Sequence, residues 1–385
     1  MKMSNTTIQD IFTLFYPDYL AKYNPSPVQS KVAINIINCK TGAYGSNTSV
    51  CTDCGIIKTH YNSCRNRCCP MCQALPKEKW MDLRREDVLD APYFHLVFTL
   101  PDELNPIIYS NQKTLLDMFY KSVSSSLDEL SRDTKYLGAK IGYISILHTW
   151  GSQLNYHPHI HVIVLGGGLD HKNKWREQGS DFFLPIKVLS RVFRGKYMES
   201  IKSLWKQEKL EFHGNAVKYR NHYNFKELLN LCYEKEWFPY CKKTFNGAQS
   251  VIKYLGKYTH RIAISNYRIL RVNNSTVTFS VKDYDNPGTW KELTISGIEF
   301  IRRFLMHVPP KRFVRIRHYG LLATRVKTKK LAHCRNLLGC KQYLSSLRDK
   351  TVPEIMKILW NFDVTLCKEC NGHLVKPQFK ISLRN

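Results

Sequence analysis

Three histidines, His157, His159 and His161, alternate within NYHPHIHVIVLGGGL (155–169). Alternation at period two puts three imidazoles on one face of a β-strand. Two of them, spaced by the apolar Ile160, can hold one divalent ion through ring nitrogens. Just upstream, KIGYISILHTW reads as the partner strand of a hairpin, and its His148 can face the same site as a third ligand. Tyr254 and Tyr258 stand four residues apart in GAQSVIKYLGKYTHRIAISN, which reads as a helix from about 248 to about 260. That spacing places both phenols on one helix face. A pair of tyrosines is commonly a packing stripe, but Lys253, Lys257, His260 and Arg261 surround this one. A phenol ionises only near a pKa of about 10, and neighbouring cations help it lose its proton. A metal ion on a phosphate, with a phenolate beside it, is the equipment of phosphoryl transfer through a tyrosine ester.

A second chemistry is written in the cysteines. Of thirteen, seven crowd one early segment: Cys39, Cys51, Cys54, Cys64, Cys68, Cys69 and Cys72. Cys51–Cys54 and Cys69–Cys72 are C-x-x-C turns. Each such turn offers two thiolates at tetrahedral angles, so the two pairs are expected to share one structural zinc. Cys39, His60, Cys64 and Cys68 remain and can supply a second zinc site. So small a segment has little apolar material, and metal would provide much of its folding free energy. Near the end, Cys367 and Cys370 make another C-x-x-C with His373 close by, and Cys334 and Cys340 can complete that shell.

The formal net charge of +27 over 385 residues points to a polyanionic partner, nucleic acid before membrane. No apolar run approaches bilayer length, and MKMSNTTIQDIFTLFY lacks the apolar core of a signal peptide. The chain is therefore expected in the cytoplasm, with the nucleoid, and its cysteines are expected to serve metals rather than disulfides.

These residues need elements to position them. TIQDIFTLFYPDYLAKY and SPVQSKVAINIINC read as two helices, the second capped by Ser26 with Pro27 in its first turn. YFHLVFTLP reads as a strand, NQKTLLDMFYKSVSSSLDEL as a helix, and the histidine stretch as a hairpin ending in a Gly-rich turn. That order suggests an α+β domain with a central antiparallel sheet. PIKVLSRVFRGKYMESIKSLWKQEKL reads as a basic helix with Leu189, Val192 and Phe193 as its core stripe. TVTFSVKDYDN and KELTISG read as a hairpin. GIEFIRRFLMHV reads as a helix with Ile298, Ile301 and Leu305 inward and Arg302 and Arg303 outward. RFVRIRHYG reads as a strand with Arg315 and Arg317 on one face. Together with Lys257 and Arg261, these four arginines are candidate phosphate contacts; a solvated basic face is the bland alternative. The expected division is a helical and zinc-binding module over 1–85, a nuclease core over 86–270 with a basic helical insertion at about 180–240, and a basic mixed α/β region over 271–385.

Several stretches carry a family resemblance: NSCRNRCCPMCQ, FHLVFTLPDEL, HTWGSQLNYHPHIHVIVLGGGL, LPIKVLSRVFRGKY, YLGKYTHRIAISN and EFIRRFLMHVPPKRFVRIRHYGLLA. In this order they span most of the chain from about Cys39 to about Gly339. The chain resembles the two-tyrosine HUH transposases of rolling-circle insertion sequences. The resemblance implies an HUH endonuclease core, single-stranded DNA at transposon ends and target as substrate, and Mg²⁺ or Mn²⁺ as catalytic ion. It implies the metal role for His159 and His161 and the nucleophile role for Tyr254 and Tyr258. It leaves the third ligand open; the hairpin favours His148 over Gln153 and His157. At Cys68 relatives often carry histidine, so a ligand role by substitution stays open there. The implied reaction conserves bond energy and needs no ATP. Two other readings share features with it. An HUH replication initiator would have the same site with different accessory modules, and a non-catalytic zinc-dependent nucleic-acid-binding protein would have no use for the tyrosines.

Overall fold

Two capped helices open the chain. α1 (Ile8–Lys22) starts at Thr7, whose hydroxyl accepts from the Asp10 N–H while the Asp10 carboxylate accepts from Thr7. α2 (Pro27–Ile37) starts at Ser26, reciprocated by Gln29. A hairpin follows, β1 (Ser46–Cys51) and β2 (Ile57–Tyr61), then α3 (Ala74–Arg85). The computed structural model describes residues 6–177, 184–237, 239–245, 251, 256 and 262–377.

The central layer is an antiparallel sheet. Its strands are β3 (Tyr93–Thr99), β4 (Lys140–Trp150), β5 (Tyr156–Leu169), β6 (Trp175–Glu177), β7 (Tyr240–Phe245) and, from later in the chain, Ile316–Gly320. In space the order runs Ile316–Gly320, β4, β5, β3, β7, with β6 on the end of β5. The helices α4 (Asn105–Ser110), α5 (Gln112–Arg132), α6 (Ile186–Lys206) and α7 (His222–Glu234) join its strands. Period-two alternation sorts the strand residues into two cores. Phe94, Leu96, Phe98, Ile160, Val162 and Val164 point to one face and are buried with Phe119 of α5, Phe193 of α6 and Phe225 of α7. Tyr93, Ile144, Ile146, Ile163 and Leu165 point to the other.

A second sheet follows: β8 (Ile269–Val272), β9 (Thr276–Lys282) and β10 (Trp290–Ser296), in the order β10-β9-β8. After it come α8 (Gly297–Met306), the edge strand β11 (Ile316–Gly320), α9 (Lys327–Leu338), α10 (Val352–Trp360) and the short β12 (Leu374–Val375). Trp80 and Met81 of α3 and Leu331 and Cys334 of α9 cover the second face of the central sheet. Gly320 closes β11 at φ 59°, and a Cβ there would fall 1.8 Å from the Ile141 carbonyl oxygen, so only glycine fits.

A third core joins distant parts of the chain. Ile8, Phe12 and Phe15 of α1 and Ile36 of α2 pack with Phe279 of β9 and Phe300 and Phe304 of α8. Cys39, Cys68 and Cys69 belong to the same cluster, so α1 and α2 bridge the cysteine segment and the region after residue 270.

One local expectation is corrected. Gly166, Gly167 and Gly168 do not form a turn but continue β5 to Leu169. A third strand is the reason. β6 pairs with Gly167–Leu169, and a Cβ on Gly167 would fall 2.5 Å from the Trp175 ring, one on Gly168 2.3 Å from the Lys140 carbonyl oxygen. The glycines admit neighbours on both sides.

Candidate metal centres and nucleic-acid interface

The β4–β5 register sets His148 directly opposite His159, and His161 follows one pleat along on the same face. The three imidazoles each present a nitrogen within 4.8 Å of the others, close enough to share one ion. The second nitrogens of His159 and His161 are engaged. His159 Nδ1 lies 2.8 Å from the His157 carbonyl oxygen and donates to it, which leaves Nε2 as its lone pair. His161 Nδ1 lies 3.0 Å from His95 Nε2. For His161 to offer Nε2 to an ion, Nδ1 must carry the hydrogen and His95 must accept it. Burial pushes His95 down to about 4, which keeps it neutral and able to accept. Outer partners of this kind fix ligand tautomer and ring orientation. His157 turns instead to the Asp102 carboxylate, 3.3 Å away, and the Gln153 carbonyl takes the Arg303 guanidinium. Of the three candidates for third ligand, His148 is the one that stands with the pair. His95 was not singled out in the sequence; its signal was the alternation Tyr93, His95, Val97 in β3, which matters only once β3 is known to lie beside β5.

A cleft of about 330 Å³ opens over these imidazoles. Its floor is Val97, Thr99 and the histidines. One wall is the second sheet, contributing Arg268, Lys282, Tyr284 and Trp290. Arg268 is buried and braces that wall, donating to the Ser152 and Ser280 carbonyls at 2.6 and 2.5 Å. Its guanidinium sits 5.8 Å from the Trp290 ring centre. Lys282 is tied to the β4–β5 loop by its backbone N–H, which donates to Ser152 Oγ at 2.7 Å. Tyr284 and Trp290 stay 63% and 54% exposed. Flat rings beside cations form a surface on which unpaired bases stack.

Tyr254, Tyr258, Lys257 and Arg261 lie outside the described residues. Val251, three residues before Tyr254, is buried on the histidine-bearing face with Ile163 and Leu165. A Cβ on Gly256 would meet the Met81 sulfur at 2.0 Å, so the backbone at that residue lies close against α3.

The cysteines group differently from the expectation. Cys51 and Cys54 do not meet Cys69 and Cys72. One set is Cys39, Cys64, Cys69 and Cys72; the other is Cys51, Cys54, Cys367 and Cys370. The β1–β2 hairpin separates them. Cys39 and Cys64 flank its base, where the Lys40 N–H donates to the Asn62 carbonyl, whereas Cys51 and Cys54 form its tip. Five residue steps along β1 put base and tip about 17 Å apart, too far for one ion. In the first set, Cys39 Sγ and Cys64 Sγ lie 3.6 and 3.7 Å from Cys72 Sγ, and the Cys64 N–H donates to Cys39 Sγ. The expected second set of Cys39, His60, Cys64 and Cys68 is divided. His60 is exposed on β2. Cys68 is buried beside Arg315, and burial raises its thiol. Cys334 is buried in the apolar cluster under α9 with Cys340 packed against it, and His373 is exposed; none of the three joins a cysteine set.

Of the four described arginines expected to face phosphate, three have internal acidic partners. Arg302 and Arg303 both grip the Glu299 carboxylate, at 2.6 and 2.7 Å. Arg317 pairs with Asp117 and lies 3.9 Å over the Tyr120 ring. Arg315 is desolvated against Cys68 and Trp150. A strand or helix pattern shows a charge's face but not the acidic residue waiting opposite.

Two family models and two relatives match the chain. Residues 11–100 match the family described as "Transposase zinc-binding domain", of the IS91 type. Residues 142–330 match the Y2 family described as "Putative transposase". The chain is 39% identical to "Putative transposase y4qJ" of Sinorhizobium fredii over 341 residues, which is 88% of this chain and 86% of that one. It is 27% identical to the "Transposase for insertion sequence element IS801" of Pseudomonas savastanoi pv. phaseolicola, over 78% of this chain and 71% of that one. No described helix is long and apolar enough to cross a membrane. An antiparallel α+β core, a histidine-floored basic cleft and a cysteine-rich N-terminal module thus coincide with two transposase families, and the chain belongs to the transposases of IS91-type insertion sequences.

Proposed function

We propose that this transposase nicks and rejoins single-stranded DNA through 5′-phosphotyrosine intermediates, in rolling-circle-type transposition. The observation that carries the reading is the convergence of His148, His159 and His161 on the floor of a cleft walled by Arg268, Lys282, Tyr284 and Trp290. The three imidazoles would hold Mg²⁺ or Mn²⁺, which supplies charge to draw electrons from the scissile phosphate. Imidazole is a softer donor than the oxygen that Mg²⁺ prefers, so Mn²⁺ is the better fit. Tyr254 or Tyr258 loses its phenolic proton and attacks phosphorus. The new O–P bond forms as the bond to the 3′ oxygen breaks, and that oxygen leaves protonated. The second phenol takes the second strand. Each step exchanges one phosphodiester for another, so no ATP is consumed. The cleft is lined by the exposed rings of Tyr284 and Trp290, and rings on which unpaired bases stack suit a single strand better than a duplex. The cysteine set at the base of the β1–β2 hairpin serves as structural zinc site of the N-terminal module.

The test is covalent trapping. Labelled single-stranded DNA from the flanks of the element, with Mn²⁺, should yield a protein–DNA adduct that peptide mapping places on Tyr254 or Tyr258. Tyr254→Phe with Tyr258→Phe should abolish the adduct, as should His159→Ala with His161→Ala, while DNA binding persists in both. An adduct formed by the double phenylalanine variant, or mapped to another residue, would overturn the assignment.

A further inference from the structure

We infer that Cys51, Cys54, Cys367 and Cys370 form a second structural zinc site, assembled from opposite ends of the chain, which fastens the C-terminal segment onto the tip of the β1–β2 hairpin. The matched transposase families end at residues 100 and 330, so neither covers Cys367 or Cys370. All four sulfurs lie within 4.8 Å of one another. Cys51 Sγ is 3.4 Å from Cys370 Sγ, and Cys54 Sγ is 3.7 Å from Cys367 Sγ.

The two C-x-x-C turns are built alike, which chance proximity would not produce. The Gly55 N–H donates to the Cys51 carbonyl at 3.1 Å, and the Asn371 N–H to the Cys367 carbonyl at 3.0 Å. The Cys51 N–H donates to the Ile56 carbonyl at 3.0 Å, and the Cys367 N–H to the Gly372 carbonyl at 2.8 Å. The residue after each second cysteine is left-handed, Gly55 at φ 68° and Asn371 at φ 60°, the conformation that glycine and asparagine tolerate best. Each turn thus presents two thiols from the same backbone form, and two such turns face to face give four sulfur ligands in a tetrahedral shell.

Their setting also needs a metal. Cys54 and Cys370 are exposed, an unusual place for thiols that merely pack. Across residues 351–377 only Ile355, Cys367 and Gly372 are buried, too little apolar surface to hold that segment down. The remaining ties are few. β12 pairs with β1 at Val50↔Val375 and Cys51↔Leu374, and the Thr52 N–H donates to the His373 carbonyl at 2.9 Å. Gly372 lies against Asp53, where a Cβ would come 2.5 Å from the carboxyl carbon.

The experiment is elemental analysis of full-length protein purified without chelator, beside two variants. Cys367→Ser with Cys370→Ser should contain one zinc fewer than the parent. Cys64→Ser with Cys72→Ser should lose the other cysteine-bound zinc and keep this one. Trypsin should cut at Lys357 and Lys368 at least tenfold faster in the first variant, and equally fast in the parent once chelated. The few buried residues of the segment mean that the first variant should keep its core, which retention of the remaining zinc would verify. Unchanged zinc in that variant, or recovery of Cys51–Cys370 as a disulfide from the native protein, would overturn the inference.

Discussion

Tyr284 and Trp290 keep more than half their surface in solvent at the rim of the cleft. On the proposed reading, these exposed rings are where an unpaired base stacks. Stacking of one base is worth about 1–3 kcal/mol. Trp290→Ala should therefore weaken single-stranded DNA binding about 5- to 150-fold, with Mn²⁺ affinity unchanged; fluorescence anisotropy and calorimetric titration would separate the two. Equal DNA affinity in the variant would remove the ring from the site. At this scale the sequence was readable where the imidazoles that come together are near one another in the chain or across one tight hairpin. His159 and His161 follow from alternation, and His148 from folding one strand back on the next. His95 could not be read, because β3 comes to lie beside β5 only through tertiary packing, and Trp290 could not, because its β9–β10 hairpin is legible but its place against the cleft is set only by the packing of the two sheets.

Among the elements, α8 links the two sheets. Its Arg303 donates to the Gln153 carbonyl in the β4–β5 loop, and its Glu299 holds both Arg302 and Arg303. The Arg302 guanidinium, with Arg303 beside it, holds the Glu299 carboxyl down to about 2. A carboxylate depressed in the folded state stabilises above its ordinary value, about 4.3, and that stabilisation is lost as pH falls toward 2. Glu299→Gln should cost about 1–2 kcal/mol at pH 7. The gap to the parent should narrow between pH 4 and pH 3. Urea unfolding at pH 7, 4 and 3 would check this, and a gap independent of pH would show that the charge is not involved. Strands and helices were the most legible level, since caps such as Ser26 and period-two runs such as Tyr93–Thr99 are local signals. The glycine run of β5 was misread as a turn because the strand that needs it, β6, has only three residues.

For the whole molecule, setting aside Arg302, Arg303 and Arg317 with their partners Glu299 and Asp117 removes only a single unit from the net charge of +27, because two of the arginines share one carboxylate. Three or more phosphate contacts should give a log–log slope of affinity against salt of about −2 or steeper for a single strand. A slope near zero would place the excess charge away from DNA. Cysteine pairing was illegible at this scale for a simple reason. Three C-x-x-C signals were visible, but the partner of Cys54 lies 313 residues away, and the nearer pair looked sufficient.

That separation also puts a clock on assembly. The hairpin tip leaves the ribosome long before Cys367 and Cys370 exist. At about 5–20 residues per second the wait is about 15–60 s. During that interval Cys51 and Cys54 lack the two cysteines that complete their set. Any message cut short before residue 367 yields a chain in which they never find their partners, so the finished joint marks a chain synthesised past residue 370.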